Sequence, residues 1–422
     1  MLIYAEHITP RLTYTVSLVF TEMLGIEVQL STNQQDVLSS TGPCINYSSH
    51  KMTQGFHIEP AGLLYENSIR HITPSTGWWD DIPTLFPSAG DIPFDLFSAV
   101  FYLVSRYEEY LPFRADEHQR FPAAESFLFR HHLLDRPLVN LWVKKLSLLL
   151  HQQHPGLTRP LRFTHILTID MDVPFKYLHK GFLRTAGGLA KDALRGNFRE
   201  WQERFNVWKG KQDPFDVMDF IATVCHEQHF SPLVFIPSGN RGTYDKNLPV
   251  SHPAMQRVIK EINRFGRCGL HPSYHAAFCK DLLRKEKFSL ENIAGYPIYQ
   301  SRQHYLRVRF PDTYRLLEEV GIKEDYSLGF HDHPGFRAGI AFPFYFYDLC
   351  RETKTSLRIY PLMAMDRTFI RYLQHTPRQM VVYVQQLVET LQYTGGILTT
   401  LFHNDVLSLP EWKMAFEKTL AL

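Results

Sequence analysis

The sequence predicts an α/β protein: a smaller mixed α/β unit over residues 1–155, then a larger unit over 156–422 built on a parallel sheet or barrel. One basis is the apolar, β-branched run F-T-H-I-L-T-I-D-M-D (163–172), which ends in two acids. Another is the way such runs alternate with helical spacings after residue 160. The last is H-Q-Q-H-P-G-L-T-R-P (151–160), a polar stretch broken by Pro and Gly where a boundary belongs.

In the first unit, Thr9 is a candidate N-cap, Pro10 a first helical residue and Gly25 the stop of one helix. C-I-N-Y (44–47) and G-F-H-I (55–58) read as short strands. The run 94–110 predicts a mostly buried helix that turns polar at its end, and 137–150 an amphipathic one. Beyond the boundary, strands are expected at 163–169, 232–237, 268–271, 357–361 and 396–403. Helices are expected at 215–229, 253–266 and 377–394.

Composition excludes several classes. With 44% apolar and 21% charged residues the chain reads as globular, and 422 residues suffice for two cores. A net charge of +2, with both signs interspersed, gives no basic stripe for nucleic acid. The five cysteines are scattered without a C-x-x-C pair, against a disulfide framework or zinc knuckle. No apolar stretch is long enough to span a bilayer, and the first residues lack a secretory pattern, so the expected location is cytoplasmic. The oligomeric state is not set by the sequence. The many aromatics, Phe 31 and Tyr 21, suit either a core or a sugar-binding cleft.

Chemistry concentrates in a few segments. Asp170 and Asp172 end the strand at 163–169, two apart and so on one face, or else they cap a nearby helix. G-L-H-P-S-Y-H places His271 at a strand end and His275 four residues on, a spacing that chelates a metal if the segment is helical. His403 closes L-F-H on the last strand. Carboxylate plus imidazoles with open positions suit a catalytic divalent metal: Zn, Co, Ni, Mn or Fe. Among the other histidines, His226 and His229 read as surface residues, whereas His331 and His333 could line the cleft. Arg337, in D-H-P-G-F-R-A-G, could bind a substrate carboxylate or phosphate, or could pair with an acid to pin its loop.

In order along the chain, T-I-D-M-D (168–172), H-P-S-Y-H (271–275) and L-F-H (401–403) resemble the motifs of the NodB-type polysaccharide deacetylases of carbohydrate esterase family 4. The resemblance covers about residues 160 to 405 and implies an irregular (β/α)7 barrel behind an N-terminal accessory domain. It implies Asp170 as general base, Asp172, His271 and His275 as metal ligands with zinc the leading metal, and His403 as the acid for the leaving amine. R-Q-H-Y (302–305) stands for the third motif, with R-F-P (309–311) its rival; Arg302 would orient the base and Tyr305 touch the substrate. E-D-Y-S-L-G-F (324–330) stands for the fourth, with Asp325 the partner of His403 or Arg302. The chain departs from the pattern at Met171, which separates acids that are adjacent in the family, at Val173 and Pro174, which replace a glycine, and at Pro272.

The implied activity is metal-dependent removal of an N-acetyl or other acyl group from an amino sugar or polysaccharide. Two other readings stay open: a deacetylase-like protein without activity that binds a glycan or partner, and a haloacid dehalogenase-type phosphatase using D-M-D-V. The phosphatase reading leaves His271, His275 and His403 without a task.

Overall fold

The computed structural model describes residues 1–422, the side chain of residue 183 excepted. The chain forms two compact units that are not consecutive in sequence. Met1–His165, Leu306–Met363 and Gln386–Thr399 make one; Ile166–Tyr305, Ala364–Gln385 and Thr400–Leu422 make the other. The sequence divides the chain once, near residue 155. The structure instead returns two later segments to the first unit, where Gly339 O accepts from Val139 N and Gly395 O accepts from the Asn140 amide.

The first unit holds a parallel sheet in the order Gln29–Ser31, Leu2–Ala5, Cys44–Tyr47, Phe56–Ile58. Thr9 caps the helix Pro10–Val16 by accepting from Leu12 N, and the helix runs on as Ser17–Leu24 until Gly25 turns left-handed at φ +69. The run 94–110 is a helix only over Leu96–Val104. It breaks at Arg106, φ +53, whose guanidinium is held by Glu108 and Glu109 from the turn Tyr107–Tyr110. The strand expected at 357–361 is Thr353–Ile359, parallel to Glu324–Asp325 and antiparallel to Phe344–Asp348. It belongs to this unit.

The strands that lie wholly or in part in the second unit run in the order Ala364–Met365, Gly396–His403, Phe163–Asp170, Leu233–Pro237, Arg267–His271, Gln300–Ser301. Parallel registers set Asp170 level with Phe235, Pro237 with His271, Leu270 with Ser301 and Met365 with Leu401. The carboxyl ends of these strands therefore gather along one edge. The pairing Leu233↔Arg267 through Pro237↔His271 is unbroken, which fixes His271 at that edge. This establishes a parallel sheet; closure into a barrel is not among the pairings of the described strands. Helices Met218–Glu227 and Pro253–Phe265 fall where expected, and Pro377–Thr394 precedes the last strand. Two helices not foreseen from the sequence, Phe182–Leu194 and Phe198–Trp208, form a hairpin ahead of them. No helix among the described residues is long and apolar enough to cross a membrane.

Candidate active site

Every side chain of the site comes from the carboxyl end of a strand or from the loop just after it, all in the second unit. Phe163–Asp170 delivers Asp170 and, two residues on, Asp172; Met171 between them is 1% exposed and turned into the core. The inserted methionine thus keeps both acids on one side, as strand alternation requires. Asp170 Oδ2 lies 3.8 Å from His271 Nε2 and 3.9 Å from His403 Nε2. Its buried Oδ1 has no hydrogen-bond partner, with Arg302 Nε 3.5 Å away.

Asp172, His271 and His304 bring three ligand atoms within 4.8 Å of one another. His271 Nδ1 donates to Arg302 O at 2.6 Å, which leaves Nε2 facing Asp172 Oδ1 at 3.2 Å. His304 Nδ1 bonds Asp245 Oδ1 at 2.9 Å, with its Nε2 3.7 Å from Asp172 Oδ1. Both rings are therefore held through one nitrogen so that the other presents its lone pair to a common centre, the arrangement of metal-binding imidazoles. One carboxylate oxygen and two imidazole nitrogens suit a divalent transition metal.

His275 is exposed and stands outside this cluster. Its expected role required residues 271–275 to be helical. Instead Arg267–His271 ends in a loop, because Glu286 captures the backbone and hydroxyl of Ser273 and Asp245 captures Tyr274 N. His304, inside the R-Q-H-Y segment, takes the third position, and Tyr305 follows it at φ +61. The ring of Tyr305 packs with His304, Tyr274 and Tyr244, and Tyr244 stacks on Tyr274 at 4.0 Å.

His403 Nδ1 bonds Asp366 Oδ1 at 2.6 Å, and Asp366 also accepts from His403 N. For His403, the partner expected at Asp325 is thus Asp366; Asp325 lies in the first unit and accepts from the backbone and hydroxyl of Ser327. M-A-M-D-R (363–367) carried the signal, an apolar run ending in an acid, but it is short. Arg302 is fully buried, donates to Thr168 Oγ1 at 2.6 Å and lies over the Phe235 ring at 4.9 Å. Gly269 makes room for that ring, since a Cβ there would meet it at 2.6 Å.

Arg367 is a further member that the sequence did not suggest. Its guanidinium pairs with Asp172 Oδ2 and spans to Asp405 at 2.9 and 3.0 Å. Burial opposes ionisation of Asp172, yet Arg367 and His304 hold its carboxyl well below the usual range. Burial also opposes a second proton on His271, while Asp170 and Asp172 push its pKa up. Arg337 is buried in the first unit and pairs with an acid, donating to both oxygens of Glu109 and to Gly329 O. His226 and His229 are exposed, and His331 and His333 lie in the first unit.

Residues 1–155 match a family of unknown function (DUF7033). Among curated proteins none matches the sequence. Solved structures resemble part of the chain. A protein described as a polysaccharide deacetylase from Mycobacterium smegmatis is 14% identical over 62% of this chain and 84% of its own, with a TM-score of 0.42. Another so described, from Pseudomonas aeruginosa PAO1, is 13% identical over 64% and 89%, with a TM-score of 0.40. A CE4 family pseudoenzyme from Bacillus anthracis is 9% identical over 62% and 61%, with a TM-score of 0.33.

Proposed function

We propose that the chain is a metal-dependent hydrolase that removes an acyl group, N-acetyl foremost, from an amino sugar or polysaccharide, on a deacetylase-like (β/α) barrel. The observation that carries this reading is the convergence of Asp172, His271 and His304 beside an acid–base pair, Asp170 and His403. These three residues would hold a divalent transition metal, zinc foremost. Bound there, the metal would polarise the acyl carbonyl and lower the pKa of a water. Asp170 takes the proton of the attacking water as its oxygen bonds to the carbonyl carbon. His403 gives a proton from Nε2 to the nitrogen as the C–N bond breaks, while Asp366 retains the Nδ1 proton and fixes the ring. Arg302 Nε, 3.5 Å from Asp170 Oδ1, would orient the base. The tyrosine faces of Tyr244, Tyr274 and Tyr305 beside His304 suit a sugar ring.

A second reading, a binding protein without activity, is favoured by Arg367, whose charge already sits on Asp172. The phosphatase reading gains nothing, since the cations that reach Asp170 and Asp172 are arginines and imidazoles. Metal content by mass spectrometry, after loading with Zn or Co, separates the first two. Wild type and His275→Ala should each hold about one equivalent, and the His271→Ala, His304→Ala double variant should hold none. Loaded wild type should then release acetate from N-acetylated amino sugars. Wild type that takes up no metal would leave the binding reading, and loss of metal in His275→Ala would return that residue to the ligand set.

A further inference from the structure

The hairpin formed by Phe182–Leu194 and Phe198–Trp208 contributes no residue to the site, yet its surface is unlike the rest of the chain. Between residues 176 and 211, nine Lys or Arg accompany three acids, in a protein whose net charge is +2. The acids are all paired: Asp192 with Arg204, and Glu200 and Glu203 with Lys176. The most exposed charges are cationic, namely Arg184, Lys191, Arg195, Arg199, Lys209 and Lys211. Arg184, Lys191 and Arg195 are spaced by seven and four residues and so share one helix face.

Large apolar side chains stand among these charges. Phe182 is 80% exposed, Leu194 89%, Phe198 72% and Trp208 64%. Behind them lies a cavity of about 510 Å³, lined by Leu178, Phe182, Leu189, Trp201, Phe205 and Trp208. A merely solvated face has no use for four such side chains. Helices that expose cations together with Phe, Trp and Leu suit the plane of a membrane surface, where charges meet headgroups and rings reach the acyl boundary.

We infer that this hairpin docks the protein on an anionic lipid surface, with the cations on the headgroups and Phe182, Leu194, Phe198 and Trp208 in the acyl boundary. Charge complementarity selects anionic over neutral lipid. The exposed apolar side chains select a bilayer over a nucleic acid or another soluble polyanion, to which they would add little.

Co-sedimentation of the full chain with vesicles tests this. The protein should pellet with phosphatidylcholine vesicles that contain about one third phosphatidylglycerol and stay in solution with phosphatidylcholine alone. Phe198→Ser with Trp208→Ser should lower the partition coefficient about tenfold or more, as should Arg184→Glu with Lys191→Glu. Both pairs are at exposed positions, and an unchanged far-ultraviolet dichroism spectrum separates lost docking from lost folding; either pair that keeps its spectrum suffices. Failure of wild type to pellet with anionic vesicles at low salt overturns the inference. So does pelleting that the Phe198, Trp208 pair leaves unchanged, which would mark the hairpin as a site for polyanions in general.

Discussion

A guanidinium on Asp172 Oδ2 holds one of the two oxygens that a metal would use, and it carries a like charge. Arg367 keeps a second carboxylate, Asp405, to which it can remain bonded if Asp172 is claimed. Replacing it with a neutral residue removes repulsion that a divalent ion must otherwise overcome in a partly buried site. Arg367→Gln is therefore expected to bind Zn or Co about tenfold more tightly or better, some 1.4 kcal/mol, by titration calorimetry. Equal affinity in both proteins would show that Arg367 and the metal do not compete. That Asp170, Asp172, His271, Arg302 and His403 lie at one sheet edge was legible because each ends or directly follows a strand. His304 was not. Its segment reads as an arginine motif, and only the three-dimensional path of the loop turns its Nε2 toward Asp172. His275 misled because i, i+4 spacing means proximity only on a helix, and Glu286 and Asp245 hold that segment as a loop.

Buried ion pairs decide where elements of the first unit stop. Glu109 accepts from Arg106 at 2.8 Å and from Arg337 at 3.0 and 2.6 Å, all three side chains being buried. Burial opposes its charge, but the two guanidinium groups hold its carboxyl below the usual range. Glu109→Gln leaves two buried cations short of an anion, which should lower stability by about 3–5 kcal/mol. Urea unfolding monitored by tryptophan fluorescence would measure it, and a loss within about 0.5 kcal/mol would mean that Glu108 and backbone carbonyls suffice. This network explains two misreadings. Apolar periodicity carries 94–110 as one helix, whereas the charges at Arg106, Glu108 and Glu109 end it after Val104. The glycine-bearing loop of Arg337 looked functional, but its arginine serves the core. Long apolar runs such as 396–403 and the second half of 163–170 were legible because a strand buried on both faces admits little else. The hairpin at 182–208 lacks such a run, and its charges and small residues disguise the helical period.

At the scale of the molecule, local patterns could not show that 306–363 and 386–399 rejoin the first unit, because that is a matter of long-range packing. The return has a consequence for acid stability. His331, at 9% exposure, belongs to one of those segments. Burial pushes its pKa down to about 4, and Arg120 adds to this, against the pull of Asp332 and Asp116. The folded protein therefore binds its proton less readily than the unfolded chain, whose histidine titrates near 6.5. Stability from this residue is complete above about pH 6.5 and is lost as pH falls toward about 4, a difference of up to about 3 kcal/mol. Below that range the depressed carboxyls of Glu109 and Asp116 begin to protonate and add to the loss. Calorimetry from about pH 7.5, roughly one unit above the unfolded value, down to about 4 should show a falling midpoint. In His331→Gln, which cannot take up a proton, the fall should be shallower between about 6.5 and 4 and parallel to wild type below. Parallel curves throughout would mean that His331 titrates normally in the folded state and that other groups set the acid response.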